Sequence, residues 1–319
     1  MSASLITEGA APDWLAPHRD LYPFATKTAQ VRGRAMSYVD LAPAPAEGVV
    51  ADRPATVMVH GNPTWSFYYR DVLRAVSASG GRALAPDHIG CGLSEKPSAS
   101  DYQYTLSERV ADLEEWMNVV GLDESPINLV VHDWGGMIGC AYATRYPERI
   151  NKLVVLNTAA FHIPGDKRLP FTLALGRNTR LGQVLIQGFN AFSGLATRWA
   201  CMRPLSGAVR RAYTAPYHSW STRVATHRFV KDIPLKPTDD AYQVVSETQA
   251  RLTLLKDKPI FVGWGLKDFV FDETFLRVWL ARFPEAEQHI YSEGGHYILE
   301  DARDDLIPKI VEFLSPVSA

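Results

Sequence analysis

The 319-residue chain predicts a doubly wound α/β fold built on a mostly parallel sheet. Short apolar, β-branched runs recur along it, each ending in a glycine-punctuated or polar turn. Stretches with helical spacing lie between those runs, and strand alternating with helix is the pattern of parallel strands joined by crossovers. The alternation stops near residue 161 and resumes near residue 256, which predicts a helical insertion into the sheet.

Taken in order, residues 1–28 are rich in Ala, Pro and Ser and predict a loosely wrapped surface segment. Residues 30–34 and 35–39 predict two short strands on a tight turn, followed by a Pro/Ala loop over 42–54 with little signal. Residues 55–59 are fully apolar, as a buried parallel strand requires, and lead into His60-Gly61-Asn62-Pro63. Such a strand delivers its last residues to the carboxyl edge of the sheet, where open α/β folds place ligands.

A helix over 67–77 and a strand over 82–85 come next, then the loop Asp87-His88-Ile89-Gly90-Cys91-Gly92-Leu93-Ser94. Asp87 and His88 have no third ligand nearby, so loop bonding accounts for them better than a metal. Thr105 and Glu108 form a capping box ahead of an apolar stripe at Leu106, Val110, Leu113, Met117 and Val120.

Residues 127–146 read as strand, sharp turn, helix, with Asp133 at the tip and Trp134, Gly135 and Gly136 behind it. A carboxylate at a tight turn is costly unless it is used, and a helix N-terminus favours its ionised form. This is the geometry of a nucleophile elbow, with aspartate in the usual place of serine; the alternative is a helix cap. A strand over 153–156 ends at Asn157.

Residues 161–255 carry helical stretches over 181–189, 204–212 and 241–254, with Phe189, Phe192, Tyr217, Trp220 and Phe229 available for a cavity or for the insertion's own core. Strands over 259–263 and 288–291 follow, leading to Asp268 and His296, and a closing helix covers 301–313. Asp133, Asp268 and His296 stand in the chain order nucleophile, acid, histidine.

Composition limits the function. The formal net charge of −2 with no basic run argues against a nucleic-acid partner. Cys91, Cys140 and Cys201 are too scattered for a disulfide framework or a zinc site. No apolar run approaches the roughly 20 residues of a membrane span, and the N-terminus lacks a secretory pattern, so a soluble cytoplasmic protein is expected.

Together, His60-Gly61-Asn62-Pro63, the Asp87 to Ser94 loop, Val131-His132-Asp133-Trp134-Gly135, Gly265-Leu266-Lys267-Asp268 and Gly295-His296 resemble the α/β-hydrolase fold and, within it, the haloalkane dehalogenase family. Asn157-Thr158-Ala159-Ala160-Phe161, Gly188-Phe189-Asn190-Ala191-Phe192, Ala215-Pro216-Tyr217 and residues 229–234 resemble the branch near dehalogenase subfamily III, which includes the β-lactone decarboxylases of bacterial olefin biosynthesis. Val131 departs from the small residue that most elbows of this fold carry, as dehalogenases commonly do.

The resemblance implies an eight-stranded sheet, a core of residues 1–160 and 256–319, and a helical cap of residues 161–255 inserted after strand 6. It implies a hydrolase in which Asp133 attacks an alkyl carbon to form a covalent ester, expelling a halide or a β-lactone carboxylate. Asp268 and His296 would complete the catalytic triad, since Asn157 offers no carboxylate. The side chains of Asn62 and Trp134 would receive the leaving anion, and their backbone N–H groups would form the oxyanion hole. No cofactor or metal is implied; the expected partner is a small hydrophobic substrate, and no residue pattern sets the oligomeric state. The alternatives are an epoxide hydrolase, which needs two cap tyrosines such as Tyr213, Tyr217 or Tyr242 but usually carries an aromatic residue in place of Asn62, and a catalytically idle lidded binding protein.

Overall fold

The computed structural model describes residues 5–9, 11–44, 53–165 and 167–316. Alternating side chains on the β-branched runs divide the core. On β4 (Ala55–Val59), Val57 and Val59 face one apolar cluster and Met58 the other; on β6 (Ile127–Asp133), Leu129 and Val131 oppose Val130 in the same way. Strands buried on both faces need helices on both sides, which accounts for the continuous apolar runs.

The sheet has nine strands, in the order β1 (Ile6–Glu8), β2 (Thr26–Val31), β3 (Arg34–Leu41), β5 (Ala83–Pro86), β4, β6, β7 (Ile150–Thr158), β8 (Ile260–Gly265), β9 (Glu287–Tyr291). The first three strands and the β3/β5 pair are antiparallel, and all pairs from β5 onward are parallel. Eight strands were expected; the ninth is β1, a three-residue edge strand too short for its pattern to register.

Helices α1 (Arg70–Ala78), α2 (Leu106–Val119) and α3 (Trp134–Arg145) link the parallel strands. Thr105 Oγ1 accepts the Glu108 N–H as the capping box predicts, and the stripe from Leu106 to Val120 is buried. Among the described residues, the segment between β7 and β8 has no strand. It holds α4 (Phe171–Asn178), α5 (Arg180–Gln183), a π turn over Val184–Gly188, α6 (Ala191–Trp199), α7 (Gly207–Thr214), α8 (Val224–Lys231) and α9 (Tyr242–Arg251). Helices α10 (Glu273–Arg282), α11 (Ile298–Asp301) and α12 (Arg303–Leu314) close the chain.

The expectation of a loosely wrapped N-terminus is corrected for its described part. Leu15, Tyr22 and Phe24 are buried, and Trp14 and Tyr22 pack edge-on or tilted against Trp65. Those apolar partners lie some forty residues further on, so local composition could not reveal them. The first hairpin is also longer than expected and turns at Arg32-Gly33. Much of the 42–54 loop, residues 45–52, falls outside the described residues, as do residues 1–4. No helix among the described residues is long and apolar enough to cross a membrane.

Candidate active site

The elbow is sharp. Asp133 ends β6 in the left-handed region, with φ 52° and ψ −128°, and α3 begins at the next residue. Holding a non-glycine residue there costs about 1–3 kcal/mol, which the surrounding structure must offset. A Cβ on Gly135 would strike the Val59 carbonyl, and one on Gly136 would strike Thr158 Oγ1, so both glycines are set by close approach of α3 to the strands. The Thr158 hydroxyl donates to the Asp133 carbonyl and fixes the turn from β7.

The Asp133 carboxylate is held by backbone. Oδ1 accepts the Asn62 N–H at 2.6 Å, and the Trp134 N–H also bonds the carboxylate. Gly61 leaves room for it, because a Cβ there would collide with Oδ1. Burial pushes the carboxyl up most strongly; His296 and the two amides pull it down, Asp268 adds to the rise, and the net direction is above the usual carboxylate range. The Trp134 N–H at the start of α3 favours the anion, and desolvation outweighs it.

His296 bridges two acids. Its Nε2 lies 3.5 Å from Asp133 Oδ2, and its Nδ1 lies 2.7 Å from Asp268 Oδ2. Desolvation lowers the imidazole's basicity, but the charge and hydrogen bond of Asp268 together with the charge of Asp133 prevail and raise it above its ordinary value. Asp268 Oδ1 accepts the N–H groups of Val270 and Phe271 at 2.7 and 3.1 Å.

Two positioning residues escaped the sequence reading. Asn157, considered there only as a missing carboxylate, donates from Nδ2 to Asp268 Oδ2 at 3.1 Å and to the Gly265 carbonyl at 3.0 Å. Its Oδ1 accepts the Gly265 N–H, so it ties the acid to the end of β8. His132 reaches the His296 carbonyl from Nε2 at 2.8 Å and stacks on Tyr68. A polar residue buried near a strand's carboxyl end was the available signal in both cases.

Asp133, His296, Asn62 and Trp134 line a cavity of about 490 Å³ whose other walls are mainly apolar, including Leu173, Ile186, Phe192, Leu195, Trp199 and Val230. Asn62 donates one side-chain N–H to the Thr226 carbonyl at 3.1 Å, and its Oδ1 is buried without a partner. Of the five candidate aromatics, Phe192 borders the cavity. Phe189 and Trp220 are exposed, Tyr217 donates to the Thr64 carbonyl, and Phe229 packs on Trp134. None of Tyr213, Tyr217 and Tyr242 borders it: Tyr213 bonds Glu300, and Tyr242 packs on His162.

Asp87 accepts the N–H groups of Ser66 and Leu93, and His88 Nε2 bonds the His60 carbonyl. Among the described residues, no three His, Cys, Asp or Glu side chains are grouped to hold a metal.

Residues 54–302 match the family model for the alpha/beta hydrolase fold. A cis-3-alkyl-4-alkyloxetan-2-one decarboxylase of Shewanella oneidensis is 53% identical over 260 residues, covering 81% of each chain. Its namesake in Xanthomonas campestris pv. campestris is 43% identical over 299 residues, covering 92% of this chain and 97% of its own. In three dimensions the chain is similar to haloalkane dehalogenase DbeA of Bradyrhizobium elkani, with a TM-score of 0.78 at 23% identity over 91% of this chain and 97% of that one.

Proposed function

Because the chain belongs to the α/β-hydrolase fold family, in the branch shared by haloalkane dehalogenases and cis-3-alkyl-4-alkyloxetan-2-one decarboxylases, we propose that it is an aspartate-nucleophile enzyme that opens a cis-3,4-dialkyl β-lactone and releases an alkene. The observation that carries this reading is a carboxylate gripped by two backbone amides on the floor of an apolar cavity, with one oxygen turned toward His296. In it, residues 1–160 and 256–319 are the core, and residues 161–255 are the cap that keeps water from the floor.

Asp133 attacks the ring carbon that bears the ring oxygen. The new C–O bond forms as the ring C–O bond breaks, and the electron pair leaves as a carboxylate on the neighbouring carbon. The Trp134 indole N–H and the remaining Asn62 amide N–H receive that anion. The bond to CO2 then breaks, its electrons form the C=C bond, and the C–O bond to Asp133 breaks to restore the carboxylate. No water or proton is consumed. In-line attack followed by anti loss inverts twice, so a cis ring gives a cis alkene.

The second reading, dehalogenation, rests on the same two donors facing a halide. Its ester must be hydrolysed: His296, held by Asp268, takes a proton from water that attacks the ester carbonyl. The amides of Asn62 and Trp134 hold the resulting oxyanion. Esterification removes the Asp133 charge, one of the causes that raise His296, so the imidazole becomes neutral more readily when a base is needed. Acidification protonates His296 and slows this step.

The two readings separate on His296→Phe. With 1,2-dibromoethane the variant is expected to release one bromide and retain an adduct on Asp133 by mass spectrometry. With a long-chain cis-β-lactone it is expected to keep forming alkene within about tenfold of the parent, since that route uses no base. Failure of the parent to form alkene while it releases bromide would transfer the assignment to dehalogenation.

A further inference from the structure

The larger, N-terminal part of the helical segment differs sharply in charge from the rest of the chain. Residues 161–231 contain eleven Lys and Arg and one carboxylate, Asp166. The remaining 248 residues carry twenty-two cations and thirty-four carboxylates, so a protein of net −2 holds a strongly cationic segment. Apart from the pairs Lys167-Arg168 and Arg210-Arg211 its cations stand singly, several of them beside apolar residues. Arg180 precedes Leu181, Arg198 precedes Trp199, and Arg203 follows Met202, and all six of these residues are exposed.

Exposed apolar bulk gathers in the same segment. Of thirteen large hydrophobic residues exposed among the described residues, eight lie between 171 and 220: Phe171, Leu181, Val184, Phe189, Leu195, Trp199, Met202 and Trp220. Phe171 is 80% exposed and Phe189 75%, values that bring no stability to an isolated chain in water. Leu195 and Trp199 are also cavity-wall residues, and Phe171 and Leu181 each adjoin one, Thr172 and Gly182. Part of this exposed apolar surface is therefore continuous with the cavity wall.

We propose that this face of helices α4–α6 docks on the surface of an anionic phospholipid bilayer, with the arginines at the headgroups and the aromatic and aliphatic side chains entering the interface. Interleaved cations and bulky apolar residues are the combination that holds a peripheral segment at a lipid interface, where charge attraction and burial add. An acidic protein would satisfy the charges but would leave Phe171 and Phe189 without a stated counterpart. If the cavity takes the hydrophobic substrate proposed above, docking opens it toward the phase in which such a molecule dissolves; the docking itself does not depend on that reading.

The test is sedimentation of the full chain with phosphatidylcholine vesicles containing phosphatidylglycerol and with phosphatidylcholine alone. Binding is expected to the anionic vesicles, to weaken steeply with added salt, and to be absent on the neutral ones. The triple variant Arg180→Glu/Arg198→Glu/Arg203→Glu is expected to lose about a hundredfold or more in partitioning, at about fivefold for each cation removed. Phe171→Ser/Phe189→Ser is expected to lose about tenfold. Both variants alter exposed residues outside the cavity wall and are expected to turn over a dissolved short-chain substrate at the parental rate. Absence of parental binding to anionic vesicles, or equal binding by the triple variant, overturns the proposal, as does capture by an acidic protein without vesicle binding. A parent that binds vesicles and turns over no substrate leaves docking intact and removes the functional reading.

Discussion

The sheet edge and the helical segment above it are built by different forces. At the edge, Asp133, Asp268 and His296 come from three strand ends and are fixed by buried hydrogen bonds, most of them to backbone amides or to Asn157. In the helical segment, Leu173, Ile186 and Val230 form a small apolar cluster, and much of the surrounding surface remains exposed. Groups set by backbone geometry tolerate little change, whereas an apolar wall repacks with modest loss. In the proposed function, reaction type therefore rests with the edge and substrate shape with the segment above it.

The largest expected effect tests the edge. Asp133→Ala is expected to reduce alkene and bromide release by about 10⁴-fold or more, measured as kcat with protein folding checked by circular dichroism. Turnover at the parental rate would dissolve the contrast. Asn62→Ala keeps the backbone N–H on Asp133 but removes the side-chain donor, and is expected to lower kcat about 10²-fold with little change in KM. An equal fall in binding and rate would move Asn62 from the leaving group to general substrate contact.

Changes in the segment above are expected to be milder. Leu173→Ala is expected to cost about 2 kcal/mol in denaturant unfolding and to shift preference toward longer alkyl chains, because it enlarges the cavity wall. A loss of rate on every chain length would show that this wall also governs the chemistry.

The smallest effect on turnover is expected at the joint between the regions, where Asp232 accepts the Leu106 N–H at 2.6 Å. Burial, the leading cause, pushes its carboxyl up to about 7. The folded value lies above the unfolded one, so this carboxyl weakens the fold progressively as pH rises from about 4 to about 7, and by a constant amount beyond. Asp232→Asn keeps an acceptor for Leu106 and is expected to stabilise the protein by up to about 4 kcal/mol above about pH 7, with no gain near pH 4. A gain independent of pH would place the effect in packing.

Much of this was legible from the residues. The strand-turn-helix at Asp133 follows from an apolar run meeting paired glycines, and the order of Asp133, Asp268 and His296 follows from which strands end before them. The lining of the cavity was not legible. Phe192 and Phe229 share residue type and segment, yet Phe192 borders the cavity and Phe229 packs beneath it on Trp134. Short irregular helices have no strong period, so nothing local tells which side of each turns inward. The N-terminal anchoring of Tyr22 and Phe24 was hidden for the same reason, since its partners are remote in sequence.

Local patterns alone determined that this chain builds a parallel sheet, where its sharp turn falls and which side chains follow its strands, because periodicity and turn chemistry act over neighbouring residues. That Asn157 grips Asp268, that Gly61 makes space for the Asp133 carboxylate, and that Phe192 borders the cavity while Phe229 packs on Trp134 were decided by folding. These relations join residues that meet only when strands and helices pack, and no short window of sequence contains both partners.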